Sequence, residues 1–136
     1  MIKGKAQIEQ DVYDALETFF KGKISGELYP SDTRPRDSEL EDAVIVASSP
    51  SPDQFQQGRV RILIYVRDID NGSGRPVKDA ERLQELEQLG EPIVELLNDT
   101  LLDYAFTFLT APDTGHDPAT PEHFVNIHLQ FKRQTF

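Results

Sequence analysis

Apolar positions recur along the chain in two rhythms, one of about 3.6 residues and one of two, and each rhythm marks a different kind of element. Ile8, Val12, Ala15, Leu16, Phe19 and Phe20 fall on one stripe of a helix over 8–20, with Gly22 as its stop. Residues 23–40 form a long connection broken by Gly26, Pro30 and Pro35, with Ile24, Leu28 and Tyr29 as apolar anchors and a short extended piece at 27–30. The β-branched run Ala43-Val44-Ile45-Val46-Ala47 predicts a buried strand within 41–48, ended by Ser49-Pro50-Ser51-Pro52. A second strand spans 59–67 and pairs with the first as a hairpin across a long loop. After a Gly-rich turn at 70–76, Asp79 stands at a helix N-cap position. Leu83, Leu86, Gly90, Ile93, Val94 and Leu97 then make one stripe. Pro92 lies inside that stripe and predicts a kink or break near Leu89–Gly90. A third strand follows at 104–109. A loop containing Pro112, Pro118 and Pro121 leads to a fourth at 123–133, where Val125, Ile127, Leu129 and Phe131 share a face.

The order is α-β-β-α-β-β over a single domain, residues 1–136. Two amphipathic helices and four half-apolar strands predict an α+β fold: a two-layer sandwich with a mostly antiparallel four-stranded sheet and both helices on one face.

The strand at 59–67 is the most informative stretch. Val60, Ile62, Ile64 and Val66 line its core face, while Arg59, Arg61, Leu63, Tyr65 and Arg67 line the other. That second face is cationic and aromatic in a chain whose net charge is −10. Phe124, Asn126, His128, Gln130 and Lys132 make the corresponding face of the last strand.

The acidic balance argues against phosphate-backbone binding as the main task. The absence of cysteine excludes disulfide and thiolate chemistry. Met1-Ile2-Lys3-Gly4-Lys5 runs into an amphipathic pattern without an apolar signal core, and no run approaches the roughly 18 apolar residues of a membrane span. The expectation is a soluble protein of a virion or a host cytoplasm, without specific nucleic-acid or membrane binding.

Reaction chemistry is not legible. Among the histidines, His123 and His128 differ by an odd number and point to opposite faces of one strand, while His116 lies in a flexible loop. No metal site, cofactor or catalytic group is therefore expected. Gly72-Ser73-Gly74 lacks the Lys-Ser/Thr of a phosphate loop and reads as a turn. Ser48, His128 and Asp42 supply a triad on paper only, without a nucleophile elbow. The acids Glu41, Asp42, Asp68 and Asp70 read as solvated strand ends.

Charge distribution carries more. Between Asp79 and Asp103 eight acids stand against one base, Arg82, which gives that segment −7 of the net −10. Glu81, Glu85 and Glu95 on this helix point away from Arg59, Arg61 and Arg67 on the far side of the sheet. Within one subunit the two patches cannot neutralise each other; between subunits packed head to tail they can. Leu63, Tyr65, Phe124 and His128 would supply the centre of such an interface, and Arg34 and Arg36 in the first long loop would dock acidic neighbours.

The helix, long connection, strand pair, helix and strand pair, with Leu28-Tyr29-Pro30, Glu41-Asp42-Ala43-Val44-Ile45-Val46 and Gln57-Gly58-Arg59-Val60-Arg61-Ile62-Leu63-Ile64-Tyr65-Val66, resemble the tail-completion and tail-terminator proteins of long-tailed bacteriophages. The resemblance implies a structural, non-enzymatic role. Such proteins form rings, often hexameric, at the head–tail junction and contact the tail tube and the head connector. The alternatives are a small-ligand-binding or enzymatic α+β domain that sets His128 beside a carboxylate in a cleft, or a bacterial adaptor domain with no phage link.

Overall fold

The computed structural model describes residues 1–135. In chain order its elements are α1 (Lys5–Phe20), β1 (Leu28–Pro30), β2 (Ala43–Ala47), β3 (Phe55–Arg67), β4 (Ile69–Asp70), β5 (Pro76–Val77), α2 (Ala80–Glu87), α3 (Gly90–Thr100), β6 (Tyr104–Phe108), β7 (Asp113–Asp117) and β8 (Glu122–Gln134). The α+β class is as expected, but the four-stranded antiparallel layout is not. The main sheet is mixed and has six strands, in the order β1-β2-β3-β8-β6, with β7 also on β8 and a separate β4–β5 pair.

Strands β3 and β8 pair antiparallel over their full length, from Phe55 opposite Gln134 to Arg67 opposite Glu122. Strand β2 pairs antiparallel with β3, as the hairpin expectation required. The extra strands come from segments with little apolar signal. Strand β1 has three residues and runs parallel to β2. Strand β7, Asp113-Thr114-Gly115-His116-Asp117, lies in the stretch expected to be a loop. It has no large apolar side chain with which to announce a period of two. It pairs with the first part of β8 (Asp113 opposite Asn126, Asp117 opposite Glu122), while β6 pairs with the last part. The two short strands thus lie end to end along one flank of β8.

The expected helix break is present. Helix α2 ends at Glu87 and α3 begins at Gly90, which places Pro92 in the first turn of α3, where backbone N–H groups have no helical acceptor in any case. Asp79 caps α2 by accepting from the backbone N–H of Arg82 at 3.2 Å. Gly90 permits a close approach, since a Cβ there would stand 3.2 Å from both the Phe108 ring and Pro112 and press on them.

Ile8, Val12, Leu16 and Phe20 from α1, Leu83 and Leu86 from α2, and Ile93 and Leu97 from α3 pack on the sheet face formed by Ala43, Ile45, Val60, Ile62, Ile64, Val125, Ile127 and Leu129. Each fully buried Leu or Ile contributes about 1.5–3 kcal/mol relative to exposure. The helices therefore cover the even-numbered face of β3, and Arg59, Arg61, Leu63, Tyr65 and Arg67 fall on the other.

Buried polar groups fasten the connections to this frame. Glu9 on α1 is buried and accepts from the backbone N–H of Ala47 at 2.9 Å and from the Ser31 hydroxyl at 2.8 Å. Asp42, expected as a solvated strand end, is instead wholly inaccessible. It accepts from Arg34 Nε at 2.9 Å, from the Glu27 backbone N–H at 3.1 Å, and from the Ser38 hydroxyl. Arg34 Nη2 also donates to Glu122 at 2.8 Å, so one guanidinium joins the 31–42 connection to the start of β8. At the opposite end of the sheet Gln56, also inaccessible, accepts from Arg133 Nη1 at 3.0 Å and from the Lys3 backbone N–H at 3.1 Å.

Substituting Ala for Arg34 leaves two buried carboxylates without their cation, which should cost about 3–5 kcal/mol. The lowered midpoint of urea unfolding would register this loss. Arg36→Ala, at an exposed position two residues on, should change stability by less than about 0.5 kcal/mol.

Candidate functional site

The sheet face turned away from the helices is the candidate site, and it divides into a covered half and an open half. In the covered half, Tyr65 of β3 and Phe124 of β8 stand directly opposite each other with ring centroids 5.5 Å apart. Gly115 of β7 lies beneath Phe124, and a Cβ there would come within 2.3 Å of the ring, so a side chain at 115 would displace Phe124. The Arg34 guanidinium stacks over Tyr65 at 4.3 Å. Burial pushes the Tyr65 hydroxyl above its ordinary pKa, against the pull of Arg34.

Arg34 is thus an internal strut and not the exposed docking group expected from its loop. Tyr65 is the platform it rests on, and both Tyr65 and Phe124 are half-buried within the subunit. Arg36 is exposed. Arg67 lies at 3.7 Å from Glu39, an exposed pair of little energetic weight.

The open half is formed by Arg59, Arg61, Gln57, Gln130 and Lys132, all exposed, with half-buried Leu63 and Asn126 between the two zones. The Asn126 Oδ1 is covered and accepts no hydrogen bond from the described residues. A concavity of about 530 Å³ is lined by Gln57, Arg59, Thr107, Gln130 and Lys132 among others. A smaller one of about 260 Å³ lies between Ser48, Arg59, Arg61 and His128. His128 is 8% exposed. Desolvation holds its pKa below the ordinary value, the charges of Arg61 and then Arg59 act in the same direction, and Asp113 acts against them. The ligand-cleft alternative called for a carboxylate beside this histidine; its strongest charged influences are arginines.

The acidic counterpart lies on the helices. Glu81, Glu85, Glu91, Glu95 and Asp99 are exposed on α2 and α3, on the other side of the sheet from Arg59 and Arg61. Glu85 accepts from Arg82 at 2.9 Å, and Arg82 also pairs with Glu41 at 2.7 Å. Asp42 is committed to Arg34, and Ser48 holds the Arg59 backbone N–H at 2.9 Å, so Ser48, His128 and Asp42 do not converge as a triad.

The other histidines depart from expectation. His116 is on β7, directly opposite His123 of β8, and the two rings stack with centroids 4.2 Å apart. Asp68, expected as a solvated strand end, has Oδ1 at 2.7 Å from His123 Nδ1. One available sequence signal was the spacing His116…His123 about an Asp-Pro…Pro turn, which fits a short hairpin placing both side chains on one face.

No helix of the described residues is long and apolar enough to cross a membrane. The chain matches no protein-family model and no curated protein sequence.

His128 gives the face a pH dependence. In the unfolded chain the imidazole takes a proton at its ordinary value of 6.5, while the folded protein resists doing so. Between the folded and unfolded values the unfolded state binds more protons, so this contribution to stability is present above pH about 6.5 and declines as pH falls below it. Thermal melts at pH about 7.5 and 5.5 should show a larger drop for the wild type than for His128→Asn.

Proposed function

We propose that this chain is a non-enzymatic assembly subunit whose basic sheet face seats on the acidic α2–α3 surface of a neighbouring copy, closing a ring at the head–tail junction of a long-tailed bacteriophage. The observation that carries the reading is the sorting of charge. Arg59, Arg61 and Lys132 are exposed on one side of the sheet, and Glu81, Glu85, Glu91 and Glu95 on the other. Two different patches that match each other make a head-to-tail contact, which closes into a ring when the rotation allows.

The resemblance to tail-completion and tail-terminator proteins supplies the biological setting, with the tail tube and the head connector as further partners. An acidic surface lining a ring would let DNA pass without adhering, because like charges disfavour backbone contact. Arg36 remains available for an acidic neighbour; Arg34, spent inside the subunit, does not.

Light scattering over a range of protein concentrations tests the contact. A discrete oligomer that loosens as salt rises is expected, since salt screens exposed charge pairs. Arg59→Glu with Arg61→Glu should leave a folded monomer, as should Glu81→Lys with Glu95→Lys, and mixing the two variants should restore a mixed assembly. A wild type that stays monomeric, or an oligomer indifferent to both double substitutions, would overturn the reading.

A further inference from the structure

We infer that Asp68, His116 and His123 form a binding site for one divalent first-row transition metal ion, zinc being the simplest case. Three neighbouring strands bring these residues into one row. His116 and His123 face each other across β7 and β8. Asp68 follows β3 by one residue, and its backbone N–H donates to the Pro121 carbonyl at 2.9 Å, which extends the β3–β8 pairing to the rim of the sheet. Asp68 shares the parity of Val66, the residue opposite His123, so its carboxylate comes to the same side as both imidazoles.

The geometry is that of a site in need of little closure. One donor atom from each of the three residues lies within 4.8 Å of the other two. Ligand atoms held about 2.0–2.2 Å from a tetrahedral ion stand about 3.4 Å from one another. His123 Nδ1 and Asp68 Oδ1 stand closer than that, at 2.7 Å as a hydrogen-bonded pair, so a shared ion would part them slightly. His116 is exposed, so rotation of its ring completes the set. The side chains of His123 and Asp68 are only 19% and 8% exposed, which fixes two of the three donors in advance. The turn between the ligand strands is held by the Ala119 N–H donating to Asp117 Oδ1 at 2.9 Å.

Chemistry narrows the ion. Two imidazoles and one carboxylate suit zinc, nickel, cobalt or copper, whereas magnesium and calcium favour all-oxygen sets. Three protein donors leave at least one coordination position for water or an incoming ligand. The remaining histidine is excluded by its surroundings, because His128 sits beside Arg59 and Arg61, which repel a cation. The site lies apart from the basic patch of the open face and does not depend on the assembly reading.

Calorimetric titration of untagged protein with zinc chloride, with magnesium chloride as control, tests the inference. One zinc per chain and no magnesium uptake are expected. His116→Ala, an exposed substitution that spares the fold, should weaken zinc binding at least about tenfold, as should Asp68→Asn, while His128→Gln should leave it unchanged. The imidazole proton resonances of His116 and His123 should shift on zinc addition and those of His128 should not. Absence of stoichiometric zinc binding, or undiminished affinity in His116→Ala, would overturn the proposal.

Discussion

The pairing of β3 with β8 is the constraint on which the rest of the structure depends. Two strands of thirteen residues in full antiparallel register commit every side chain on both to one face or the other. A slip of one residue would send Ile62, Ile64, Ile127 and Leu129 to solvent and the arginines into the core. The same register that buries three aliphatic pairs against the helices, Val60 with Leu129, Ile62 with Ile127 and Ile64 with Val125, therefore also builds the basic face. Core and candidate site are two sides of one alternation, so neither can be altered in register without the other.

Around that ladder, ionic groups do the work that a short chain of polar loops cannot do with apolar contacts. Residues 31–42 contain few apolar side chains, yet Arg34 binds them to the sheet through Asp42, Glu122 and the face of Tyr65. Such an arrangement gives little net stability over a hydrophobic equivalent, because desolvation offsets most of the attraction. What it provides is geometry, since a planar guanidinium with two carboxylates and a ring accepts one placement of the loop.

The parts of this fold legible in the sequence were those whose apolar residues keep a period. Helix α1, strands β2, β3, β6 and β8, and the division of α2 from α3 near Gly90 all carry that signature. Strand β7 was illegible because Thr114, Gly115 and His116 take their place from backbone pairing and from the Phe124 ring over Gly115, not from hydrophobic burial. The polarity of Arg59 and Arg61 was readable from alternation alone. The inward turn of Arg34 was not, since its partners Asp42 and Glu122 lie 8 and 88 residues away and nothing local points to either. For the same reason Asp68, His116 and His123 looked like separate polar residues until the hairpin set them side by side.

The end-to-end placement of β6 and β7 has a consequence for how copies of the chain can meet. A sheet's outer strands normally offer a row of unpaired backbone groups that another chain can extend. Here one margin is only three residues long and ends in Pro30, and the other is interrupted by the 109–112 segment with Pro112 inside it. Neither margin presents a long template for strand addition. Open-ended growth by backbone pairing is thereby blunted, and any contact between copies would fall to side chains.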